Sequence, residues 1–237
     1  MNDKTVILLS GGIDSAVALY WAQREGGDLL ALTLANNHRG TNAVEVACAL
    51  LLAGYVRAAH AVVDFSLTEV MLRNVPFARF AVGGEMGGCT RSGTQSAAMS
   101  IEFMHIGAMF YAVNHGASRV LWSIHADDLK DSNHEEVLRY LDFIEKIVRL
   151  RSGTTCRLEA PFLSFHKNEV IELGSKLKIP FEDTFSCLEN DTRVHCGKCE
   201  QCVKRIEAFR KAGLLDPARF EGTATSLEAQ LAGVSAS

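Results

Sequence analysis

The sequence has no long apolar run. Its hydrophobic stretches are broken by charge or glycine, which leaves no candidate for a membrane-spanning helix. It has no excess of charge of one sign. Lys and Arg number 24 against 28 Asp and Glu, giving a net charge of −4 and a pI near 6.1. That excludes a protein coating nucleic acid through bulk charge, though not a local basic patch. No internal repeat is present. The chain enters a strand-like run directly after Asp3 and Lys4, where no signal peptide fits. Seven cysteines, an odd number without a secretory signal, point to a reduced, cytoplasmic setting. The 237 residues are 48% hydrophobic and 22% charged, ordinary values for one large globular domain with or without a small appendage.

Apolar periodicity sets the expected order of elements. Val6 to Leu9 reads as a buried parallel strand, and Ala16 to Gln23 as a helix ending near Gly26. Leu29 to Leu34 is a second strand, Ala43 to Ala53 a helix, and Ala61 to Phe65 a third strand. Arg79 to Gly93 holds five glycines and reads as a mobile loop. A long helix follows over Gln95 to Asn114, then a strand over Arg119 to Ile124. His134 to Val148 is a helix with Asn133 as its N-cap. After Arg157 to Ala160, Ser164 is the expected cap of a helix from Lys167 to Leu177, stopped by Pro180. Val203 to Ala212 is a last helix. Alternating strands and helices predict a doubly wound parallel α/β sheet. The expected division is an α/β domain over 1–180, a metal-binding helical segment over 181–220 and a weakly ordered tail over 221–237.

Two clusters carry chemistry. The first is Ser10-Gly11-Gly12-Ile13-Asp14-Ser15, between the first strand and helix. A helix start offers unpaired N–H groups and the positive end of the dipole. Glycines let the backbone approach an anion, and Ser10 and Ser15 add hydroxyl donors. Asp14 beside phosphates makes sense where a Mg²⁺ ion bridges them. No lysine follows as a P-loop requires, and the G-x-G-x-x-G spacing of a dinucleotide loop is absent.

The second cluster is Cys187, Cys196, Cys199 and Cys202, spaced C-x8-C-x2-C-x2-C. Two-residue gaps turn neighbouring thiolates toward one ion, and four thiolates suit a closed tetrahedral Zn²⁺ site. An iron–sulfur cluster also takes four cysteines at such spacing. Lys198, Lys204 and Arg205 stand nearby to offset thiolate charge. His195 reads as a neighbour of the site rather than a ligand. Cys48 and Cys156 read as buried packing residues, and Cys89 as a free thiol in the glycine-rich loop.

The Ser-Gly-Gly-Ile-Asp-Ser loop resembles the pyrophosphate loop of the N-type ATP pyrophosphatases. With the four cysteines, and with Pro161-Phe162, Lys167-Asn168-Glu169-Val170, Gly174 and Thr184-Phe185-Ser186-Cys187, the chain resembles the 7-cyano-7-deazaguanine synthase family of queuosine biosynthesis over about residues 5 to 212. The resemblance implies an adenine nucleotide alpha hydrolase-like fold and ATP held by Leu9, Ser10, Gly11, Gly12, Ile13, Asp14, Ser15 and Ala16. It implies a carbon–nitrogen ligase reaction. A carboxylate on a 7-deazaguanine is adenylated, ammonia converts it to the amide, and a second adenylation gives the nitrile. Asp14, Lys167 and Asp128 are the expected catalytic residues, with Lys167 a partner for phosphate. A homodimer is also implied.

The middle of the chain departs from that pattern. Where the family has Tyr-Gly-Gln-Arg-His, this chain has Leu34-Ala35-Asn36-Asn37-His38. Where it has Val-Pro-x-Arg-Asn, the chain reads Ala97 to Ile101. Where it has Asn-Ala-x-Asp-Tyr-Ser-Gly-Tyr-Pro-Asp, the chain reads His125 to His134 and keeps Asp128. These stretches follow strand ends, where an open α/β sheet binds its ligand. His38, His125 and Asp127, with Asp128, are therefore expected in the acceptor pocket. An altered pocket also allows adenylation of another modified base, a natural product or a protein terminus, or a zinc-stabilised nucleotide-binding subunit without catalysis.

Overall fold

The computed structural model describes residues 4–36, 40–66, 101–129 and 133–222. The expected mobile loop, His38, Cys89 and the altered stretch at 97–100 lie outside them. Among the described residues five strands form one sheet: β1 (Lys4–Leu8), β2 (Asp28–Ala35), β3 (Ala59–Asp64), β4 (Arg119–Leu121) and β5 (Arg157–Glu159). Their spatial order is β3-β2-β1-β4-β5, and every pairing is parallel. The order reverses between β1 and β4. The carboxyl ends of those two strands therefore flank the crevice where an open sheet takes its ligand.

Among the described residues six helices cover the sheet: α1 (Ile13–Glu25), α2 (Asn42–Tyr55), α3 (Ile101–Asn114), α4 (His134–Ser152), α5 (Lys167–Lys176) and α6 (Glu200–Lys211). Side chains alternate across β1, so Ile7 joins one core with Leu9 and α1, α2, α5 and α6, while Val6 joins the other with α3 and α4. Phe181, Ala208 and Phe209 of the C-terminal segment belong to the first core, so that segment is packed on the α/β body. The described chain runs through Gly222, and Glu221 donates to the His195 carbonyl at 2.8 Å.

Several boundaries differ from expectation, for local reasons. The β4 ladder ends at Leu121, because Trp122 makes its last sheet bond to Glu159 and the chain then turns toward the crevice. Asn133 caps α4 as expected, accepting from Glu136 N. Helix α5 is entered through His166, not Ser164, and its capping is shared by Glu169 of its own first turn, which accepts from His166 N at 2.7 Å, and Asp127 from the turn after β4, which accepts from Lys167 N at 2.8 Å. Helix α6 begins at Glu200, directly after Cys199, rather than at Val203. Gly174 lies where α5 crosses α1: a Cβ there would stand 2.6 Å from the Phe181 ring and 2.9 Å from Val17.

The second core holds a buried polar group. His105 is 1% exposed, lies against Trp122 and shares a 2.7 Å hydrogen bond with the Tyr140 hydroxyl. Burial pushes its pKa down from 6.5 to about 3, so the folded protein holds it neutral. The unfolded chain binds that proton below about pH 6.5 and the folded chain does not. This contribution to stability is therefore complete above pH 6.5 and declines as pH falls toward 3. Melting temperatures across that window should fall less steeply for His105→Gln than for the unaltered protein. Equal slopes would contradict the assignment.

Candidate nucleotide-binding and metal site

The glycine loop leaves β1 at the crevice. Leu9 is tied down by its N–H to the Leu32 carbonyl at 2.9 Å and by its carbonyl, which accepts from Thr33 Oγ1 at 2.6 Å. Gly11 has φ +83°, and a Cβ there would lie 2.3 Å from the Glu45 carbonyl oxygen of α2. The glycine is required by this backbone approach, a constraint separate from any ligand. Gly11→Ala should lower stability by about 1–3 kcal/mol and displace the loop. Denaturant unfolding checks this, and a wild-type midpoint would contradict it.

Gly12 is the residue before α1 and supplies no side-chain cap. The first amides of α1 are thus left without the usual side-chain acceptor, with the dipole pointing into the crevice. Ser10 and Ser15 bracket this end. Their hydroxyls are 3.1 Å apart, Ser15 Oγ donates to the Gly12 carbonyl at 3.1 Å, and Ser10 N donates to Ser15 Oγ at 3.2 Å. Ile13 and Ala16 are buried in the core and hold the helix start in place.

Asp14 faces two cationic or potentially cationic groups. The Lys167 ammonium donates to Oδ2, and His125 Nε2 lies 3.6 Å from Oδ1. That Oδ1 is buried without a hydrogen bond, as is His125 Nδ1. His125 Nε2 also lies 3.4 Å from Asp128 Oδ2, an oxygen that accepts from His125 N at 3.2 Å. Burial raises the Asp128 carboxyl pKa; His125 opposes the shift, Asp14 adds to it and Lys167 opposes it. Residues following β1, β4 and β5 therefore meet at one point: Asp14, His125 with Asp128, and Lys167.

Asp127 is held differently. Its two oxygens accept from His166 Nδ1 at 2.7 Å and from the Lys167 backbone N–H at 2.8 Å. Partial burial works against ionisation here, but the His166 and Lys167 hydrogen bonds prevail and hold the carboxyl below its usual range. His166 is raised in turn by that hydrogen bond and charge. Two helix N-termini thus face this crevice. That of α5 has a carboxylate on its first amide, whereas that of α1 has no side-chain cap.

The four cysteines converge at the other side of the loop. Their sulfurs lie within 4.8 Å of one another, with Cys196 to Cys202 at 3.9 Å and Cys187 to Cys199 at 4.0 Å. The donor set could hold a metal ion. Backbone amides already point at the sulfurs: Asn190 N and Cys196 N reach Cys187 at 3.4 Å, and Cys199 N reaches Cys196 at 3.3 Å. These amides, rather than Arg205, supply the charge compensation. Arg205 is fully buried and grips Asp216 through two hydrogen bonds of 2.7 and 2.9 Å. Its remaining donors reach the Thr184 hydroxyl at 2.8 Å and the Phe181 carbonyl at 2.9 Å. Lys204 pairs with Glu200 on the surface.

Sequence reasoning missed Asp216. Its signal was a single acidic residue inside an apolar stretch, too weak to single out. His195 is buried between the rings of Phe185 and Phe220 and accepts from Ser186 N at 3.1 Å. Phe185 N in turn donates to the Gly11 carbonyl at 2.9 Å. Val44, Cys48, Phe185, Cys187, Cys196 and Cys202 form one packed cluster, so the cysteine segment buttresses the glycine loop. Cys156 is buried in the second core, as expected of a packing residue.

Fold and crevice together define the class: a parallel α/β protein of the pyrophosphate-loop, adenine nucleotide alpha hydrolase-like type. Among solved structures, NMN synthetase from Francisella tularensis matches with a TM-score of 0.50 at 19% identity, covering 97% of this chain and 82% of that one. The U34-tRNA thiolase NcsA from Methanococcus maripaludis, with its [4Fe-4S] cluster, also matches at 0.50, at 14% identity over 76% of this chain and 58% of that one. At such identities the likeness shows the fold alone. The chain belongs to the family described as queuosine biosynthesis protein QueC, whose model matches residues 4–213. It is similar to the 7-cyano-7-deazaguanine synthases of Methanothermobacter thermautotrophicus and Methanospirillum hungatei. The first is 28% identical over 92% of this chain and 99% of that protein; the second is 30% identical over 90% and 98%. Among the described residues no helix is long and apolar enough to cross a membrane.

Proposed function

We propose that this chain is an ATP-dependent carbon–nitrogen ligase that converts 7-carboxy-7-deazaguanine and ammonia to the nitrile. The observation that carries the reading is the meeting of Asp14, Lys167, His125 and Asp128 beside the α1 N-terminus at the switch point. The amides of α1 and the hydroxyls of Ser10 and Ser15 hold the β- and γ-phosphates. Lys167 exchanges its bond to Asp14 for the departing pyrophosphate, and its positive charge stabilises the charge that develops there. The substrate carboxylate attacks the α-phosphate, and pyrophosphate leaves. Ammonia displaces AMP to give the amide. The amide oxygen then attacks a second ATP, and loss of AMP and two protons gives the nitrile. Asp128 and His125 line the acceptor side. Asp14 would hold Mg²⁺, which neutralises phosphate charge.

The cysteine site fits Zn²⁺. Sulfurs at about 2.3 Å from one tetrahedral ion stand about 3.8 Å apart, close to the separations found here. In a four-iron cluster each cysteine binds a different iron, which spreads the sulfurs more widely. Metal analysis should return one zinc per chain, and iron in its place would overturn the assignment. The protein is further proposed to act in the cytoplasm as a homodimer, in line with the resemblance of its sequence.

Incubation with ATP, Mg²⁺, ammonium and 7-carboxy-7-deazaguanine tests the reaction by mass spectrometry. The expected products are the nitrile with two AMP and two pyrophosphate for each nitrile formed. ATP binding without turnover of this acceptor would favour a second reading, adenylation of a different acceptor. The altered stretches at Leu34 to His38 and His125 to His134 support that alternative.

A further inference from the structure

We propose that Asp127, clasped by His166, is a positioning residue that aims Lys167 at the nucleotide. The argument rests on the reading of Lys167 as a phosphate partner.

Lys167 opens α5, so its backbone N–H is one of the donors that a helix leaves unpaired. Glu169 of the first turn accepts from His166 N at 2.7 Å and so serves the residue before the helix, not Lys167. The acceptor comes instead from the turn after β4. Asp127 Oδ2 takes the Lys167 N–H at 2.8 Å, across 40 residues of sequence. The other oxygen, Oδ1, takes His166 Nδ1 at 2.7 Å. Both oxygens of one carboxylate are thus spent on consecutive residues of the α5 entrance. The turn after β4 is also fastened to the loop that leads from β5 into α5, as Ala126 N donates to the Phe165 carbonyl at 2.8 Å.

This clasp spans the crevice from β4 to the entrance of α5. It fixes the backbone of the residue whose side chain reaches Asp14. A long lysine side chain has many rotamers to lose, and an anchored Cα reduces what nucleotide binding must order. Asp127 itself lies 46% exposed and His166 65% exposed, so neither is needed to fill the core. Their geometry serves local aim more than global stability. The same engagement ties both oxygens of Asp127 to the α5 entrance, whereas its neighbour Asp128 faces His125.

The test is a double-mutant cycle on the full chain: unaltered, Asp127→Ala, Lys167→Met and the double variant. Mg²⁺–ATP affinity is measured by calorimetry with no acceptor present, so an incorrect acceptor assignment leaves the result intact. Asp127→Ala should weaken ATP binding by about fivefold to tenfold, the scale of a lost helix cap. Its melting temperature should fall by no more than about 2–8 °C, the scale of one lost cap, and the protein should remain folded. In the Lys167→Met background the same change should cost little more, because the residue being aimed is gone. Asp127→Asn retains an oxygen for the Lys167 N–H and should restore most of the affinity. Unchanged affinity in Asp127→Ala, or its full loss added on top of Lys167→Met, would overturn the clasp. Unchanged affinity and unchanged pyrophosphate release in Lys167→Met would overturn the phosphate role beneath it.

Discussion

Asp14→Asn should lower ATP-dependent pyrophosphate release by about 10²–10³-fold, the scale on which one aligned electrostatic group acts in a transition state. Asp14 is the residue at which the structure brings three chain segments together. Its Oδ2 accepts from Lys167, and its Oδ1 is buried facing His125 without a hydrogen bond. An asparagine keeps the shape and removes the charge. It would leave Lys167 without its ion-pair partner and the proposed Mg²⁺ without its protein carboxylate. Asp14 is one-quarter exposed, so its contribution to global stability is small beside its effect on turnover. Steady-state pyrophosphate assays and thermal melts on the same sample separate the two. Turnover within threefold of the unaltered enzyme would contradict the assignment.

Loss of the proposed metal should disable the proposed nucleotide site from the opposite side. Cys202→Ser removes one of four convergent sulfurs, at a position with no solvent exposure. A structural metal supplies folding free energy directly, on the order of 10 kcal/mol in small zinc domains. In this chain the site is packed with Val44, Cys48 and Phe185, and Phe185 N holds the Gly11 carbonyl. The expected result is a large drop in melting temperature together with weakened ATP binding. Chelation of the unaltered protein should reproduce both, and returning Zn²⁺ should restore them. Full ATP affinity in a metal-free protein would show that the loop does not depend on its buttress.

These two groups of residues were the most legible in the sequence, because their chemistry is dense and local. Six consecutive residues define the loop, and four cysteines fall within sixteen positions. The parallel sheet was equally open to reading, since short apolar runs alternate with helical periodicity. What the sequence concealed depends on long-range pairing. Ser164 is the better intrinsic cap for α5, but His166 precedes the helix and a carboxylate from 40 residues away takes its first amide. Arg205 sits beside the cysteines in sequence, so its charge invited a metal-site role. A buried carboxylate at Asp216 claims it instead. Gly11 read as room for phosphate, whereas its φ and the Glu45 carbonyl demand glycine independently. Asp127 and Asp128 are neighbours in a polar turn, and only the fold assigns one to α5 and the other to His125.

In the proposed reaction a substrate oxygen attacks the α-phosphate at this crevice while pyrophosphate leaves toward α1. The most direct measurement uses 7-carboxy-7-deazaguanine labelled with ¹⁸O in both carboxylate oxygens, with ammonium, ATP and Mg²⁺, followed by mass spectrometry of the nucleotides. Both AMP molecules formed per nitrile should carry one ¹⁸O, the first from the carboxylate and the second from the amide oxygen, and pyrophosphate should carry none. Label appearing in orthophosphate with ADP as the nucleotide product would contradict it.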